Sequence, residues 1–444
     1  MREVISIFRK TPDYKSIIEG VNFISLLLLV FWLPFKRELL PYFIDIWIIT
    51  WLLEGNFVKK FKDNIKNRQQ LLLILTPAFF YVINVISYFY SENKSASLFD
   101  LEVKLSLFIF PLIFLTANYL YKKYWRTVLN FFIVGNIIAS VLCIVIALIH
   151  STTINSNGII FNFSISDIHT NESFFILIGN RVSNLSYVYI SKFLHPSYFS
   201  LYLVFGITIA YFLYKTSKKQ NHKIVYIISI LLFYVMTYLL SSRAGLLSLS
   251  MTLILLTIIE LIIGKKYFVI LLVSFILNYG VYKAITVSRL KVNIKESISK
   301  NEEKGKITKT KDARLFIWEN AISVIKNNLL YGVGNGDAKD ELIKQYKRSN
   351  FKKGIENNLN SHNQFFDTTI SGGIIGLASL LIMFLSLFYY SIKQKHLILG
   401  FFVLLLGFNF LFESMLNTIS GVVFTAFFAG FLVIYTPIKL KKPE

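Results

Sequence analysis

His362 is the residue whose type and surroundings best suit acid–base chemistry. It lies in the polar segment Asn360–Asp367 (NSHNQFFD), shortly before a long apolar stretch. An imidazole has an ordinary pKa of about 6.5, so it can accept a proton at neutral pH. The same segment can equally serve as a polar cap where a helix enters a membrane. The residue types alone leave both interpretations open.

Two arginines have neighbours that suit the binding of an anion. Arg243 lies in Ser241–Gly245 (SSRAG), where small residues would let a bulky charged group approach its guanidinium. Arg314 stands near the predicted N-terminus of a helix, which attracts anions, and shares a helical face with Trp318. Arginine binds phosphate oxygens with two hydrogen bonds. The alternatives are that Arg243 extends to the membrane surface and that Arg314 is an ordinary surface charge.

Other polar residues have two interpretations each. His195 precedes Pro196, a common first residue of a helix, so it either marks the helix start or lines a substrate path. Asp100 and Glu102, ahead of Lys104, form either an interfacial ion-pair set or an acidic pair that binds a metal. None of the six histidines stands four residues from another, and the single cysteine lies inside an apolar stretch. We therefore expect neither a metal site nor a cofactor.

The elements that must position these residues are apolar helices that span a membrane. Hydrophobic residues make up 55% of the 444 residues, charged residues only 16%, and the apolar residues form uninterrupted blocks. Such blocks are typical of helices without a polar face. The net charge of +22 does not indicate nucleic acid binding, because the basic residues lie in short loops between the blocks. The composition predicts an all-α polytopic membrane protein.

About twelve membrane-spanning helices fit the pattern of apolar blocks. They are predicted near 18–35, 39–55, 71–90, 103–120, 127–149, 196–214, 224–240, 244–263, 267–284, 370–391, 396–411 and 415–436. Every second connection, together with the two tails, is basic and carries 23 Lys and Arg residues, whereas the shorter alternate loops carry seven. Basic loops stay in the cytoplasm, so both termini are expected there.

Two long outer loops divide this series of helices. Residues 1–284 contain helices 1–9 and an outer loop at 151–195. A larger periplasmic loop follows at 285–369, between helices 9 and 10. Residues 370–444 contain helices 10–12 and the cytoplasmic tail. Loops of this length are commonly functional.

The larger loop contains a predicted amphipathic helix near 313–329. Asp312 can cap its N-terminus, and apolar residues recur at spacings of three and four, which predicts a buried stripe. The members of that stripe are Leu315, Trp318, Ile322, Ile325 and Leu329. Three glycines follow at 332, 334 and 336 and predict a helix stop and a tight turn.

Five segments resemble the O-antigen ligase and polymerase superfamily of bacterial envelope enzymes. Three are similar to the superfamily in general: SSRAG at 241–245, ARLFIWENAISVIKNNLLYGVGNGD at 313–337 and SHNQFFDTTISGGIIGL at 361–377. Two resemble Bacteroidetes-type members: HPSYFSLYL at 195–203 and DLEVKLSLFIFPLIF at 100–114. The resemblance implies a helical membrane protein of the bacterial inner membrane, with a helical outer loop that roofs a cavity on the periplasmic side.

The resemblance also implies an activity and roles for single residues. A ligase would transfer a glycan from undecaprenyl diphosphate to a hydroxyl of the lipid A core, with inversion and without a metal. His362 would be the catalytic base, and Arg243, Arg314 and Arg289 would bind the diphosphate. The residues implied to lie along the substrate path are His195, Trp318 and Asn363.

Three alternatives remain open at this level. A polymerase of the same superfamily would use the end of another lipid-linked repeat as its acceptor. A transporter of lipid-linked sugar also suits twelve helices, although the helix midplanes are nearly free of charge, whereas a transport path usually contains ionisable residues. A metal-dependent glycosyltransferase would have to use Asp100 and Glu102, since the first outer loop offers only Lys36, Arg37 and Glu38.

Overall fold

The computed structural model describes residues 14–65, 68–155, 158–162, 183–263, 278–280 and 313–435. Nearly all of these residues are helical. The helices before the first long loop are α1 (Tyr14–Trp32), α2 (Leu40–Glu54), α3 (Phe57–Asn64), α4 (Arg68–Tyr90), α5 (Lys94–Lys104), α6 (Ser106–Leu115), α7 (Tyr119–Lys123) and α8 (Trp125–His150). The later helices are α9 (Tyr187–Ile190), α10 (Pro196–Thr216), α11 (Gln220–Leu240), α12 (Arg243–Ile263), α13 (Ala313–Asn327), α14 (Ala338–Arg348), α15 (Lys352–Glu356), α16 (Gln364–Lys393), α17 (Leu397–Phe410) and α18 (Ile419–Tyr435).

Seven of the described helices are long and apolar enough to cross a membrane. They are α1, α4, α8, α10, α11, α12 and α16, and α17 and α18 are shorter apolar helices. The multi-pass helical character predicted from the sequence is therefore confirmed. The count of twelve stays a prediction, because the predicted span 267–284 lies largely outside the described residues.

Two details differ from the predicted all-α pattern. The block 103–120 is not one continuous helix: α5 ends at Lys104 and α6 begins at Ser106, and α6 contains Pro111, which cannot donate a backbone hydrogen bond. In the first long loop, strands β1 (Thr152–Asn155) and β2 (Gly158–Phe161) pair antiparallel. The described residues therefore contain one small β-hairpin that apolar periodicity did not predict.

The chain forms two compact units. The first comprises residues 1–29, 39–128 and 309–439, and the second comprises residues 30–38, 129–308 and 440–444. In the second unit, α10 is buried on nearly every side and packs against α11 and α12. Gly245 permits this packing, because an added Cβ would lie 2.3 Å from the Cβ of Ser200.

The first unit has an aromatic core between α2, α6 and α18. The ring of Trp47 lies 4.9 Å from that of Phe110, and the ring of Phe114 lies 5.4 Å from that of Phe427. Helix α4 packs against α6, α16 and α18. Because lipid is as apolar as these side chains, the core is stabilised by close packing and by edge-to-face contacts between the rings.

Helix α16 has a break at Gly373, where φ is 60° and ψ is −156°. The break frees backbone groups that bond to the turn after α13. Val333 N donates to Ile370 O at 2.8 Å, Gly334 N donates to Ser371 O at 2.9 Å, and Ile374 N donates to Leu329 O at 2.8 Å. The glycine turn is thus joined to α16 by backbone hydrogen bonds, and the predicted helix stop is confirmed.

The buried face of α13 matches the predicted stripe only in part. Leu315, Ile322 and Leu329 are exposed, and Trp318 and Ile325 are only half-buried. The face turned inward forms a cluster with α14 and α16, whose buried members are Ile317, Ala321, Val324, Leu342, Tyr346 and Ile370. Trp318 and Ile325 pack against this cluster, so spacing predicted part of the buried face.

Candidate active site

A cleft of about 500 Å³ in the first unit contains His362. Its walls come from five places in the chain: α5, the glycine turn with α14, the segment before α16, α16 itself, and the turn before α18. The polar residues lining it include Asp100, Lys104, Asn335, Asn360, His362, Asp367 and Asn417. The fold therefore brings together residues that lie more than three hundred positions apart in the sequence.

His362 is held in an uncommon backbone conformation. Its φ is 46°, in the left-handed region that non-glycine residues rarely adopt, and its N–H donates to Asn360 Oδ1 at 3.1 Å. Asn363 caps α16 by accepting from Phe365 N at 2.9 Å and from Phe366 N at 3.1 Å. The helix start and its cap thus determine where the half-buried imidazole lies.

Glu413 faces the imidazole. His362 Nδ1 lies 3.3 Å from Glu413 Oε2, and the glutamate side chain is largely buried. A carboxylate on one ring nitrogen orients the imidazole and stabilises its positive charge once the other nitrogen has taken a proton. Glu413 is not among the residues predicted from the sequence. A signal was present, because Glu413 is the only charged residue between the apolar blocks of α17 and α18.

The opposite wall of the cleft carries a buried ion pair. Lys104 Nζ lies 2.7 Å from Asp100 Oδ2 and donates to Asn84 Oδ1 at 3.1 Å. Asn335 Nδ2 donates to the same carboxylate oxygen at 3.1 Å. The expected ion pair between Asp100 and Lys104 is confirmed, whereas Glu102 is exposed. The wall presents amide, ammonium and carboxylate groups in fixed positions.

Asn335 connects this wall to the glycine turn. Its Oδ1 accepts hydrogen bonds from the hydroxyls of Ser87 and Ser91 on or beside α4 and from that of Ser97 on α5. The next residue but one, Asp337, accepts from the backbone N–H groups of Glu92 and Asn93 at 2.7 and 2.9 Å. The turn therefore fixes the large loop on the start of α5, and sequence spacing gave no sign of these partners.

A second carboxylate lines the cleft near the start of α16. Asp367 Oδ2 accepts from Asn417 Nδ2 at 2.7 Å, which joins α16 to the turn before α18. Gln364 Oε1 accepts from Leu416 N at 2.6 Å in the same turn. These contacts hold the segment of Glu413 beside that of His362.

Arg314, predicted to bind the diphosphate, and Trp318, predicted to line the substrate path, lie in the first unit near this cleft. The Arg314 guanidinium carbon is 5.7 Å from the ring centroid of Phe412, the neighbour of Glu413. The Trp318 ring packs against Phe366 with centroids 5.8 Å apart. Within the described part of the chain, the buried Trp318 Nε1 has no hydrogen-bond partner. The side-chain oxygen of Asn363, which was also predicted for the substrate path, accepts the hydrogen bonds that cap α16.

The other predicted residues belong elsewhere. Arg243 begins α12 and His195 caps α10 in the second unit, where Ser197 N donates to His195 Nδ1 at 3.4 Å. Arg243 is half-buried, and no residue that the structure describes forms an ion pair or hydrogen bond with its guanidinium. Arg289 lies outside the described residues. Among the described residues, no group of three His, Cys, Asp or Glu side chains is arranged to hold a metal ion.

Comparisons with known proteins agree with the resemblance seen in the sequence. Residues 227–381 match a family model described as O-antigen ligase, and this stretch includes Arg243, Arg314 and His362. A Haemophilus influenzae protein described as uncharacterized is 26% identical over 184 residues, which is 40% of this chain and 46% of that protein. The match thus spans about half the length of that relative.

Proposed function

We propose that this chain, a member of the O-antigen ligase superfamily, transfers a glycan from undecaprenyl diphosphate to a hydroxyl of the lipid A core. The observation that carries the proposal is the pairing of His362, which lines the cleft, with Glu413 at 3.3 Å. A transferase that uses a free hydroxyl needs such a base. We place the enzyme in the bacterial inner membrane, with the cleft on the periplasmic side.

The proposed reaction is a single displacement with inversion. His362 Nε2, the nitrogen not facing Glu413, takes the proton of the acceptor hydroxyl. The hydroxyl oxygen forms a bond to the anomeric carbon of the donor while the bond from that carbon to the diphosphate oxygen breaks. The diphosphate leaves with the bonding electron pair, and the proton remains on the imidazole beside the Glu413 carboxylate. The products are the new glycoside and undecaprenyl diphosphate.

Stabilisation of the leaving diphosphate is assigned to the arginines. Arg314 lies in the same unit as His362, and Arg243 is a half-buried cation without an ion-pair partner among the described residues. Arginine suits a diphosphate because it donates two parallel hydrogen bonds and keeps its charge. Arg289 completes the set by resemblance, and Trp318, Asn363 and His195 remain proposed substrate-path residues.

The proposal is tested by complementation of a deletion strain. We expect His362→Ala and Arg243→Ala to lose at least 100-fold in glycan attachment to the lipid A core, because a general base and an oxyanion stabiliser each contribute about that much. His222→Ala is the matched control, since His222 is exposed on α11. Each variant must reach the membrane in wild-type amounts. Wild-type attachment by His362→Ala would refute the assignment.

The same strain separates the ligase from its nearest alternative. Loss of all long glycan from the lipid A core indicates a ligase, whereas a core that carries one repeat unit indicates a polymerase of this superfamily. Movement of lipid-linked sugar across vesicles without a new glycosidic bond would instead indicate a transporter.

A further inference from the structure

Helices α4 and α16 define the level of the membrane in the first unit. Both are candidate spans and they pack together. Near one end, Gln70 Nε2 donates to Tyr390 Oη at 3.2 Å. Near the other, Tyr90 Oη donates to Tyr331 O at 2.6 Å, and Ile374 N bonds to Leu329 O. Gln70 to Tyr90 is about 30 Å of helix, which equals the hydrocarbon thickness of a bilayer.

The sequence of α16 places the same boundary at Gly373. From Ile374 to Ile392 the helix has no charged residue, whereas the stretch Gln364–Gly372 includes Asp367 and several polar side chains. The uncharged part is therefore the part suited to hydrocarbon. Residues bonded to Ile374 lie at the edge of the membrane, on the side where His362 is found.

The turn after α13 presents three large apolar side chains at this level. Leu329, Leu330 and Tyr331 are 52%, 61% and 63% exposed. They adjoin Ile374 and Ile375 of α16, which are also exposed and lie within a candidate span. The turn thus continues a surface that faces lipid, and no charged residue interrupts it between Leu329 and Gly336. Water would be an unfavourable environment for such a patch.

The position of this turn is fixed relative to α16. Gly332 has φ of 71°, and an added Cβ would lie 2.5 Å from the carbonyl oxygens of Ile370 and Ser371. These carbonyl oxygens accept from Val333 N and Gly334 N. The three apolar side chains therefore keep their depth as long as α16 keeps its break.

We propose that Leu329, Leu330 and Tyr331, the anchor turn, insert into the bilayer. The leucines contact the acyl chains of the leaflet on the His362 side, and Tyr331 lies among the glycerol and headgroup atoms, where tyrosine is enriched. The partner is the lipid of the bilayer itself. The anchor turn holds α13 and α14 against the membrane surface, a role that is independent of the reaction proposed above.

The test is site-directed spin labelling in proteoliposomes. Nitroxides are attached to Leu330→Cys and Tyr331→Cys in a Cys143→Ala background, because Cys143 is the only native cysteine and is buried. Lys347→Cys on α14 is the control, since its side chain is exposed and belongs to a charged helix. Collision rates are measured with oxygen, which concentrates in lipid, and with a water-soluble nickel chelate.

We expect the ratio of oxygen to nickel collisions at position 330 to exceed that at position 347 at least fivefold, with position 331 between them. Two labelled positions guard against a local disturbance at either one. Equal ratios at 330, 331 and 347 would overturn the proposal, because they would place the anchor turn in water. Neither result depends on whether the protein transfers glycans.

Discussion

Glu413 is the partner of the proposed base that was not predicted from the sequence. It lies 51 positions after His362 in the sequence, yet its carboxylate faces the imidazole. His362 could be selected from its polar surroundings, but no sequence pattern joined it to Glu413, because the two lie in separate turns that only the tertiary fold brings together. The general base could be predicted from its residue type, whereas its partner depends on how α16 and the turn before α18 pack.

Removing the Glu413 charge tests whether it positions the base. We expect Glu413→Gln to lower the transfer rate at least 10-fold, because a carboxylate that orients a general-base imidazole and stabilises its charge can contribute up to about 10⁴-fold. The rate is measured with purified lipid-linked donor in proteoliposomes. Glu356→Gln, at an exposed position in α15, is the matched control. A Glu413→Gln enzyme as fast as this control would show that the carboxylate has no part in the reaction.

The left-handed backbone of His362 gives a second prediction. Asparagine tolerates a φ of 46°, whereas a β-branched residue does not. We expect His362→Val to be less stable than His362→Asn by about 1–2 kcal/mol. Both variants lack the base, so activity is not the measurement; the thermal unfolding midpoint in detergent is. Equal midpoints would mean that the backbone at this position relaxes.

At the scale of elements, the backbone hydrogen bonds between the glycine turn and α16 hold the large loop in position. The sequence predicted a helix stop from Gly332, Gly334 and Gly336, and this was right. It did not predict that the stop would pair with a break in a membrane helix about forty residues later. Such pairing depends on the freed carbonyl groups of Ile370 and Ser371, which no local sequence pattern reveals.

Two adjacent glycines in α16 allow a matched experiment on this break. Gly373→Ala places a Cβ 2.3 Å from Leu330 O in a backbone conformation that alanine avoids, so we expect a loss of about 1–3 kcal/mol. A Cβ at Gly372 meets no atom within 4 Å, so Gly372→Ala should be neutral or slightly stabilising. Thermal unfolding of both variants is compared with the wild type. The same midpoint for both would show that the break is not required.

Helix α13 shows where periodicity stops being informative. It is helical from Ala313, the first described residue of this segment, and its buried face consists of Ile317, Ala321 and Val324, whereas Leu315 and Ile322 are exposed. Trp318 and Ile325 of the predicted stripe pack against this buried cluster. Spacing therefore predicted the helix but only part of its buried face.

At the scale of the whole molecule, composition predicted the multi-pass helical character well. Apolar blocks identify membrane helices because hydrocarbon demands them, so this inference needs no tertiary structure. Apolar blocks do not predict that block 103–120 divides into α5 and α6. At this division, the buried ion pair of Lys104 with Asp100 forms hydrogen bonds with Asn84 and Asn335, which lie on other elements.

The family match extends across both compact units. Residues 227–381 include most of α11 and all of α12 in the second unit, and α13 to α15 with the first half of α16 in the first unit. Arg243 therefore belongs to one unit, and His362 and Arg314 belong to the other. Asp100 and Lys104 of the cleft, and Glu413 beside His362, lie outside the matched stretch.

The hydrogen bond between Ser87 and Asn335, which are 248 positions apart, has a consequence for biosynthesis. A ribosome that adds about 5–20 residues per second needs on the order of tens of seconds to make the chain between them. During that time α4 and α5 are already made, while the glycine turn, His362 and Glu413 have not been translated. Until the glycine turn is made, the polar groups of α5 lack these partners, whether they lie in the insertion machinery or at the lipid surface. The cleft therefore cannot assemble until the chain has been made at least as far as Asn417.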